Sequence, residues 1–215
     1  MELLNGLIML KEIDNTEVIR HRYDRYSKFY DIFEAPMEML SGKWRKKLIK
    51  FSTGKVLEVG VGTGKNVKYY PNGIDLTAID FSKGMLSKAI KKYKDKSNIK
   101  FIQMDIQATN FESNTFDTVI ASYVFCSVPD PIKELKEIKR ICRNDGKIIL
   151  LEHVRSDNRL IGVLMDLINP MIVRLLGFNI NRNTENNVII SGFHDYQVIN
   201  LLLNIFRMFI IINKK

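Results

Sequence analysis

Residues 55–66, KVLEVGVGTGKN, decide how this 215-residue chain is read. An apolar run through Val59 meets glycines at alternate positions, Gly60, Gly62 and Gly64, which predicts a buried strand breaking into a tight turn with a helix behind it. Glycines take φ > 0 and carry no Cβ, so a ligand can lie on such a turn and meet its N–H groups. The turn is a cofactor cradle. By itself it serves dinucleotides equally well, because Asp80 follows at a distance compatible with a ribose-binding acid. A phosphate-gripping P-loop is excluded: Lys65 is followed by Asn66 rather than Ser or Thr, and no glycine stands five residues before Gly64.

Downstream, the same device repeats. Residues 76–80 (LTAID) form a short apolar strand ending in an acid, and Ser82 caps a helix running to about Tyr93. Residues 99–105 (IKFIQMD) end in Asp105, and residues 116–122 (FDTVIAS) make a fourth strand. Asp130-Pro131 starts a helix with Ile132, Leu135, Ile138 and Ile141 on one face. Asp145-Gly146 turns the chain into residues 147–154 (KIILLEHV), whose continuous apolar character predicts a parallel strand covered on both sides. Thr184 to Gly192 reads as a capped helix. Residues 196–203 and 206–213 are strands joined too closely for a parallel crossover, hence an antiparallel hairpin. The chain is therefore expected to be α/β, a three-layer α/β/α sandwich with a seven-stranded, mostly parallel sheet and a reversed last strand.

Upstream, residues 17–34 place Tyr23, Tyr26, Phe29, Tyr30 and Phe33 at helical spacing, a stripe that could lie over a ligand as a lid. A second helix is expected over 34–51, with its basic residues on the outer face. Residues 1–54 thus read as a helical lid on the domain of residues 55–215, together one structural unit.

The net charge of +9 is concentrated in lysine runs at 43–50, 88–96 and 133–140, read as solvated helix faces, with attraction to an anionic membrane as the functional alternative. Aromatics are not interleaved with these runs as RNA stacking requires, so nucleic acid is disfavoured. Two cysteines, Cys126 and Cys142, are too few for a disulfide framework, which places the chain in a reducing compartment, the cytoplasm. Residues 1–10 lack a basic leader and a cleavage site, so no signal peptide is expected. Residues 160–178 are apolar but interrupted by Asp166, Asn169, Pro170 and Arg174, which predicts an amphipathic or buried helix rather than a bilayer span. No His or Cys spacing supports a metal site.

From about Tyr23 to its end the chain resembles a class I S-adenosylmethionine (SAM) dependent methyltransferase. The resemblance rests on Glu58 to Gly64, on Asp80 with Phe81, Ser82 and Met85, on Asp105-Ile106, on the fourth strand and on the closing hairpin. It implies that the glycine turn meets the methionine end of SAM, with Glu58 holding that region. Asp80 would accept both ribose hydroxyls, and Asp105 and the Ile106 N–H would meet the adenine, with Phe81 and Met85 against the base. Ser122, closing the fourth strand, joins this set. S-Adenosylhomocysteine would be the product. Ser127 to Asp130, Leu151 to Arg155 and Asn181 to Thr184 are similar to a narrower group that includes quinone-type, phospholipid N- and microsomal thiol methyltransferases. That likeness implies a small or lipid-like acceptor. The Asn/Asp-Pro-Pro-Tyr motif is replaced by Ser122-Tyr123-Val124-Phe125, which argues against methylation of an adenine or glutamine amide nitrogen.

Methyl transfer from a sulfonium is an in-line displacement in which charge disappears, so alignment and exclusion of water matter most. A thiol or phenol acceptor would need a base. His153 at the end of the fifth strand is the first expectation, with the phenols of Tyr30, Tyr26 and Tyr123 as alternatives. Tyr26, Tyr123 and Cys126 are expected to line the acceptor pocket, and the apolar region 160–178 to help build it. A nucleotide-dependent oxidoreductase and a catalytically idle SAM-binding protein are the competing readings.

Overall fold

The computed structural model describes residues 15–215, so the reading of residues 1–10 as lacking a signal peptide falls outside the described residues. Seven strands, β1 (Lys55–Val59), β2 (Asp75–Asp80), β3 (Ile99–Gln103), β4 (Phe116–Ser122), β5 (Cys142–His153), β6 (Tyr196–Leu202) and β7 (Phe206–Asn213), form one sheet in the order β3-β2-β1-β4-β5-β7-β6. The first five are mutually parallel, and β7 runs antiparallel to both β5 and β6. This is the expected sandwich. The order reverses between β1 and β4, and in open α/β sheets the crevice beyond the strand ends at such a switch point receives the ligand.

Side-chain alternation along the strands sorts the core into two layers. Leu57, Val59, Val119, Ala121, Ile148 and Leu150 face one side. There they meet Leu135, Ile138 and Ile141 of α5 (Pro131–Ile141) and Val188 of α7 (Thr184–Ile190). Val56, Ile120, Ile149, Leu151 and Met208 face the other, against Leu48 and Ile49 of α3 (Ala35–Ile49). Each fully buried Leu, Ile or Val contributes about 1.5–3 kcal/mol. Helix starts follow the sequence signals: Asp130 accepts from the Ile132 and Lys133 N–H groups ahead of α5, and Ser82 from Met85 N–H ahead of α4 (Lys83–Lys92).

Four expectations are corrected. The Asp145-Gly146 turn does not precede the fifth strand but sits within it: β4 pairs Phe116 with Cys142 and Thr118 already with Lys147, so the intervening residues bulge, with Asp145 at φ 58°. The single helix over 17–34 is two, α1 (Asn15–Tyr26) and the one-turn α2 (Tyr30–Phe33). The basic run 43–50 is not wholly solvated, because Arg45 is 5 % exposed and points inward. Finally, α6 (Arg159–Leu176) is neither buried nor part of a pocket wall: its leucines face outward, at 82 % exposure for Leu160 and 73 % for Leu167.

Candidate functional site

A cleft of ≈ 720 Å³, counting its open mouth, lies beyond the carboxyl ends of β1, β2 and β4. Gly60, Gly62, Asp80, Phe81, Met85, Asp105, Ile106 and Ser122 come together in its lining, and Tyr30 and Tyr123 line it as well.

The turn after β1 folds as it does because its glycines are needed by neighbouring walls. Gly60 sits at φ 64°, and a Cβ there would stand 2.5 Å from the Val124 methyl on the loop after β4. Gly64, at φ 81°, would put a Cβ 2.6 Å from the Tyr93 ring. Gly64 therefore packs the turn closely against Tyr93 and Ala89, and it is not among the residues lining the cleft. Glu58 is also outside the lining. Its buried carboxylate accepts from Asn66 Nδ2 at 3.0 Å, and burial pushes its pKa up to about 7 even though Tyr70, Asn66 and Arg45 favour the charged form. Asn66 passes this interaction on: its Nδ2 also donates to Ser122 Oγ at 2.9 Å, and Arg45 Nη1 donates to Asn66 Oδ1 and Ser122 Oγ, both at 2.9 Å. A buried polar network thus braces the turn from below, and the Ser122 hydroxyl belongs to that brace.

Asp80 closes the turn from the other side. Its Oδ2 accepts from Gly62 N–H and its Oδ1 from Ser82 N–H, each at 2.8 Å. One lone-pair direction on each oxygen remains for a ligand with two adjacent hydroxyls. Burial raises this carboxyl to about 6 against the two backbone donors. Beyond it, Phe81, Met85 and Ile106 make an apolar slot, with the Tyr23 ring 6.0 Å from that of Phe81. Asp105 caps the turn at Ile106–Ala108 by accepting from Gln107 N–H at 2.8 Å.

The helical lid is tied down at several points. Asp24 accepts from Ser82 Oγ at 2.6 Å and from Gly84 N–H at 2.8 Å, and Thr63 Oγ1 donates to Asp31 at 2.6 Å. Lys65 lies 3.8 Å from Glu34 and 4.9 Å above the Tyr30 ring. The phenols of Tyr23, Tyr30 and Tyr123 are all pushed well above their ordinary range by burial, so they serve as neutral donors and acceptors.

Three expected residues stand elsewhere. Tyr26 donates to the Leu175 carbonyl at 2.5 Å and tethers the lid to α6. Cys126 is buried behind the loop after β4, its thiol donating to the Tyr123 carbonyl at 3.5 Å and held protonated by burial. His153 packs edge-on against Phe206, ring centroids 5.1 Å apart, outside the cleft lining. Burial lowers its pKa to about 4, which favours the neutral ring near pH 7. Replacing His153 with Gln is expected to leave the pH dependence of kcat unchanged. A pH–rate series on the variant checks this, and loss of an ionisation near neutrality would restore the histidine as base.

Sequence reading passed over Asp24, Arg45, Asn66 and Glu152. Arg45 shares the i, i+4, i+7, i+8 face of Ser41, Leu48 and Ile49, all buried, a spacing that marks it as inward. Glu152 is a lone acid in an apolar strand. It accepts from Val124 and Phe125 N–H at 2.9 and 3.3 Å and so shapes the cleft wall, with its pKa raised by burial to about 8.

Comparison with known proteins supports the same reading. A family model described as a methyltransferase domain matches residues 57–150. A phosphatidylethanolamine N-methyltransferase of Cereibacter sphaeroides is 38 % identical over 107 residues, 48 % of this chain and 53 % of that protein, so the chain spans about half of that relative's length. A ubiquinone/menaquinone biosynthesis C-methyltransferase of Bdellovibrio bacteriovorus is 31 % identical over 172 residues, 76 % of this chain and 73 % of that one. Among solved structures, a SAM-dependent methyltransferase of Thermotoga maritima superposes with a TM-score of 0.70 at 18 % identity, over 91 % of this chain and 100 % of its own, a likeness of fold. With the fold, the cleft and these relatives in agreement, the chain belongs to the class I SAM-dependent methyltransferases.

Proposed function

We propose that this chain transfers the SAM methyl group to a small, lipid-like acceptor held in the cleft described above. The observation that carries the reading is the mixed lining of one cleft, in which Gly60, Gly62, Asp80 and Asp105 come together with Ile19, Tyr23, Tyr30, Tyr123, Val124 and Val128. The first group suits the cofactor. Asp80 would take the ribose diol, Phe81, Met85 and Ile106 the adenine faces, and Asp105 the adenine amine. The turn N–H groups would take the methionine carboxylate. The sulfonium supplies an electrophilic methyl when SAM is bound.

The apolar and phenolic residues suit an acceptor without charge. They exclude water from the reacting line, and the neutral phenols orient the acceptor atom by hydrogen bonds. Relatives named for phosphatidylethanolamine and for quinones make an amine or a quinone-type phenol or carbon the leading acceptors, with a thiol third. Both described cysteines are free, in keeping with the cytoplasm.

Labelled SAM, the purified chain and two acceptor pools, a lipid extract and a panel of water-soluble amines and thiols, test the proposal. Label is expected in the organic phase. Label only in water-soluble products would overturn the lipid-like acceptor, and SAM binding without transfer to either pool would favour an idle binding protein.

A further inference from the structure

We propose that the outward face of α6 is a docking face for an anionic lipid bilayer. The inward side of this 18-residue helix is set by Gly162 and Met165, both buried, with Asn169 one turn on. The opposite side carries Leu160, Leu164, Leu167, Met171 and Leu175 at 82, 56, 73, 56 and 58 % exposure. Steps of four, three, four and four residues align them in one stripe, on a helix about 27 Å long. An ordinary surface helix turns its apolar side to the core. The reversed arrangement leaves a contiguous apolar surface of the kind that marks an interaction site.

Charge selects the occupant. The one acid of α6, Asp166, is held by Arg155, whose Nε and Nη2 donate to it at 3.1 and 2.8 Å. Arg159 in the first turn and Arg174 in the last are exposed and join none of the ion pairs among the described residues. The whole chain carries +9. Two copies meeting through this face would bring like charges together, whereas an anionic leaflet offers headgroups to the arginines and an acyl boundary to the leucines. Among the described residues no helix is long and apolar enough to cross a membrane; the stripe describes a helix lying in the interface plane.

The face is rigidly joined to the cleft. Asn179 N–H donates to the Cys126 carbonyl at 2.7 Å, behind the loop that lines the cleft, and Asn169 Oδ1 on α6 accepts from Ile180 N–H at 2.9 Å. Arg22 of the lid donates to the Val173 carbonyl at 3.0 Å. Adsorption through α6 therefore fixes the lid and the cleft loop relative to the leaflet.

Flotation of the purified chain with phosphatidylcholine vesicles, with and without phosphatidylglycerol, tests the docking without any acceptor, so its failure leaves the methyl-transfer proposal standing. The wild type is expected to float with the anionic vesicles. Leu164→Glu/Leu167→Glu should lower that partition by roughly tenfold or more, and Arg159→Glu/Arg174→Glu should abolish the preference for anionic lipid. None of these residues touches the cleft, so unchanged SAM calorimetry verifies that both variants are folded. Three results would overturn the proposal: a wild type that stays down with anionic vesicles, a leucine variant that floats as well as wild type, or a wild-type dimer that the leucine variant converts to monomer, which would assign the face to a second copy.

Discussion

Asp80→Ala is expected to weaken SAM binding by roughly 100-fold or more, with the fold retained. A hydrogen bond to a charged group contributes about 1.5–3 kcal/mol, and the proposed site gives this carboxylate two ribose hydroxyls. Losing both costs about 3–5 kcal/mol, and 1.4 kcal/mol is a factor of ten. The substitution also strips an acceptor from Gly62 N–H and Ser82 N–H, so the turn itself loosens. The pH dependence has a definite sign. The carboxyl ionises near 6 in the cofactor-free protein, and only the ionised form leaves both oxygens as acceptors. SAM affinity should therefore be flat above neutrality and fall as pH drops through 6, a dependence that the alanine variant lacks. The stability linkage runs the other way: a folded pKa above the ordinary aspartate value of 3.8 means that the empty protein loses stability as pH rises from about 4 through 6. Titration calorimetry with SAM from pH 5 to pH 8 measures the affinity of both proteins, and thermal denaturation of the empty proteins from pH 4 to pH 7 measures the stability. A loss of affinity too small to detect would remove Asp80 from the site.

How much of this was legible in the residues follows from what each signal encodes. The strands and their order of use were readable because apolar runs ending in acids, punctuated by glycines, have few other solutions. That Gly60, Gly62, Asp80 and Asp105 would meet in one cleft was readable for the same reason, since all sit at or just beyond strand ends, where topology places ligands. Glu58 lies beneath the turn, bonded to Asn66 and outside the cleft lining, a placement the motif could not give because it fixes residue type and spacing but not direction. His153 misled in the same manner: the end of β5 is near the cleft, yet the ring turns to Phe206. Region 160–178 forms the expected helix, yet its place outside the cleft lining was not readable, because helical amphipathicity shows that a helix has an apolar side and says nothing about which way that side faces.

Arg45→Met is expected to be strongly destabilising, at about 3–5 kcal/mol, because two buried acceptors, Asn66 Oδ1 and Ser122 Oγ, lose their shared donor at about 1–3 kcal/mol each and the Glu38 pair is lost beside them. The Arg45 side chain is 6 % exposed, with its Nε 3.1 Å from Glu38 Oε2 and its guanidinium 4.9 Å above the Tyr123 ring. It is also the donor on which Asn66 Oδ1 and Ser122 Oγ converge. Methionine fills the volume but leaves Glu38 with Lys68 alone as its ion-pair partner, 3.1 Å away, and removes the positive charge that lowers the Glu58 pKa. Thermal denaturation should show Tm lower by roughly 6–20 °C, at 2–4 °C per kcal/mol for a domain of this size. The loss should grow with pH: without Arg45 the Glu58 carboxyl, already at about 7, is raised further, and a raised acid withdraws stability as pH climbs through its folded pKa. Arg45→Lys should rescue little, because one ammonium cannot reach Glu38, Asn66 and Ser122 with the spread of a guanidinium. Pairing Arg45→Met with Glu38→Gln should recover part of the loss, since the two charges then leave together. A Tm within about 2 °C of wild type would show that the network is ornamental. A loss that the double variant fails to relieve would place the whole of its origin at Asn66 and Ser122, and with them at the underside of the glycine turn.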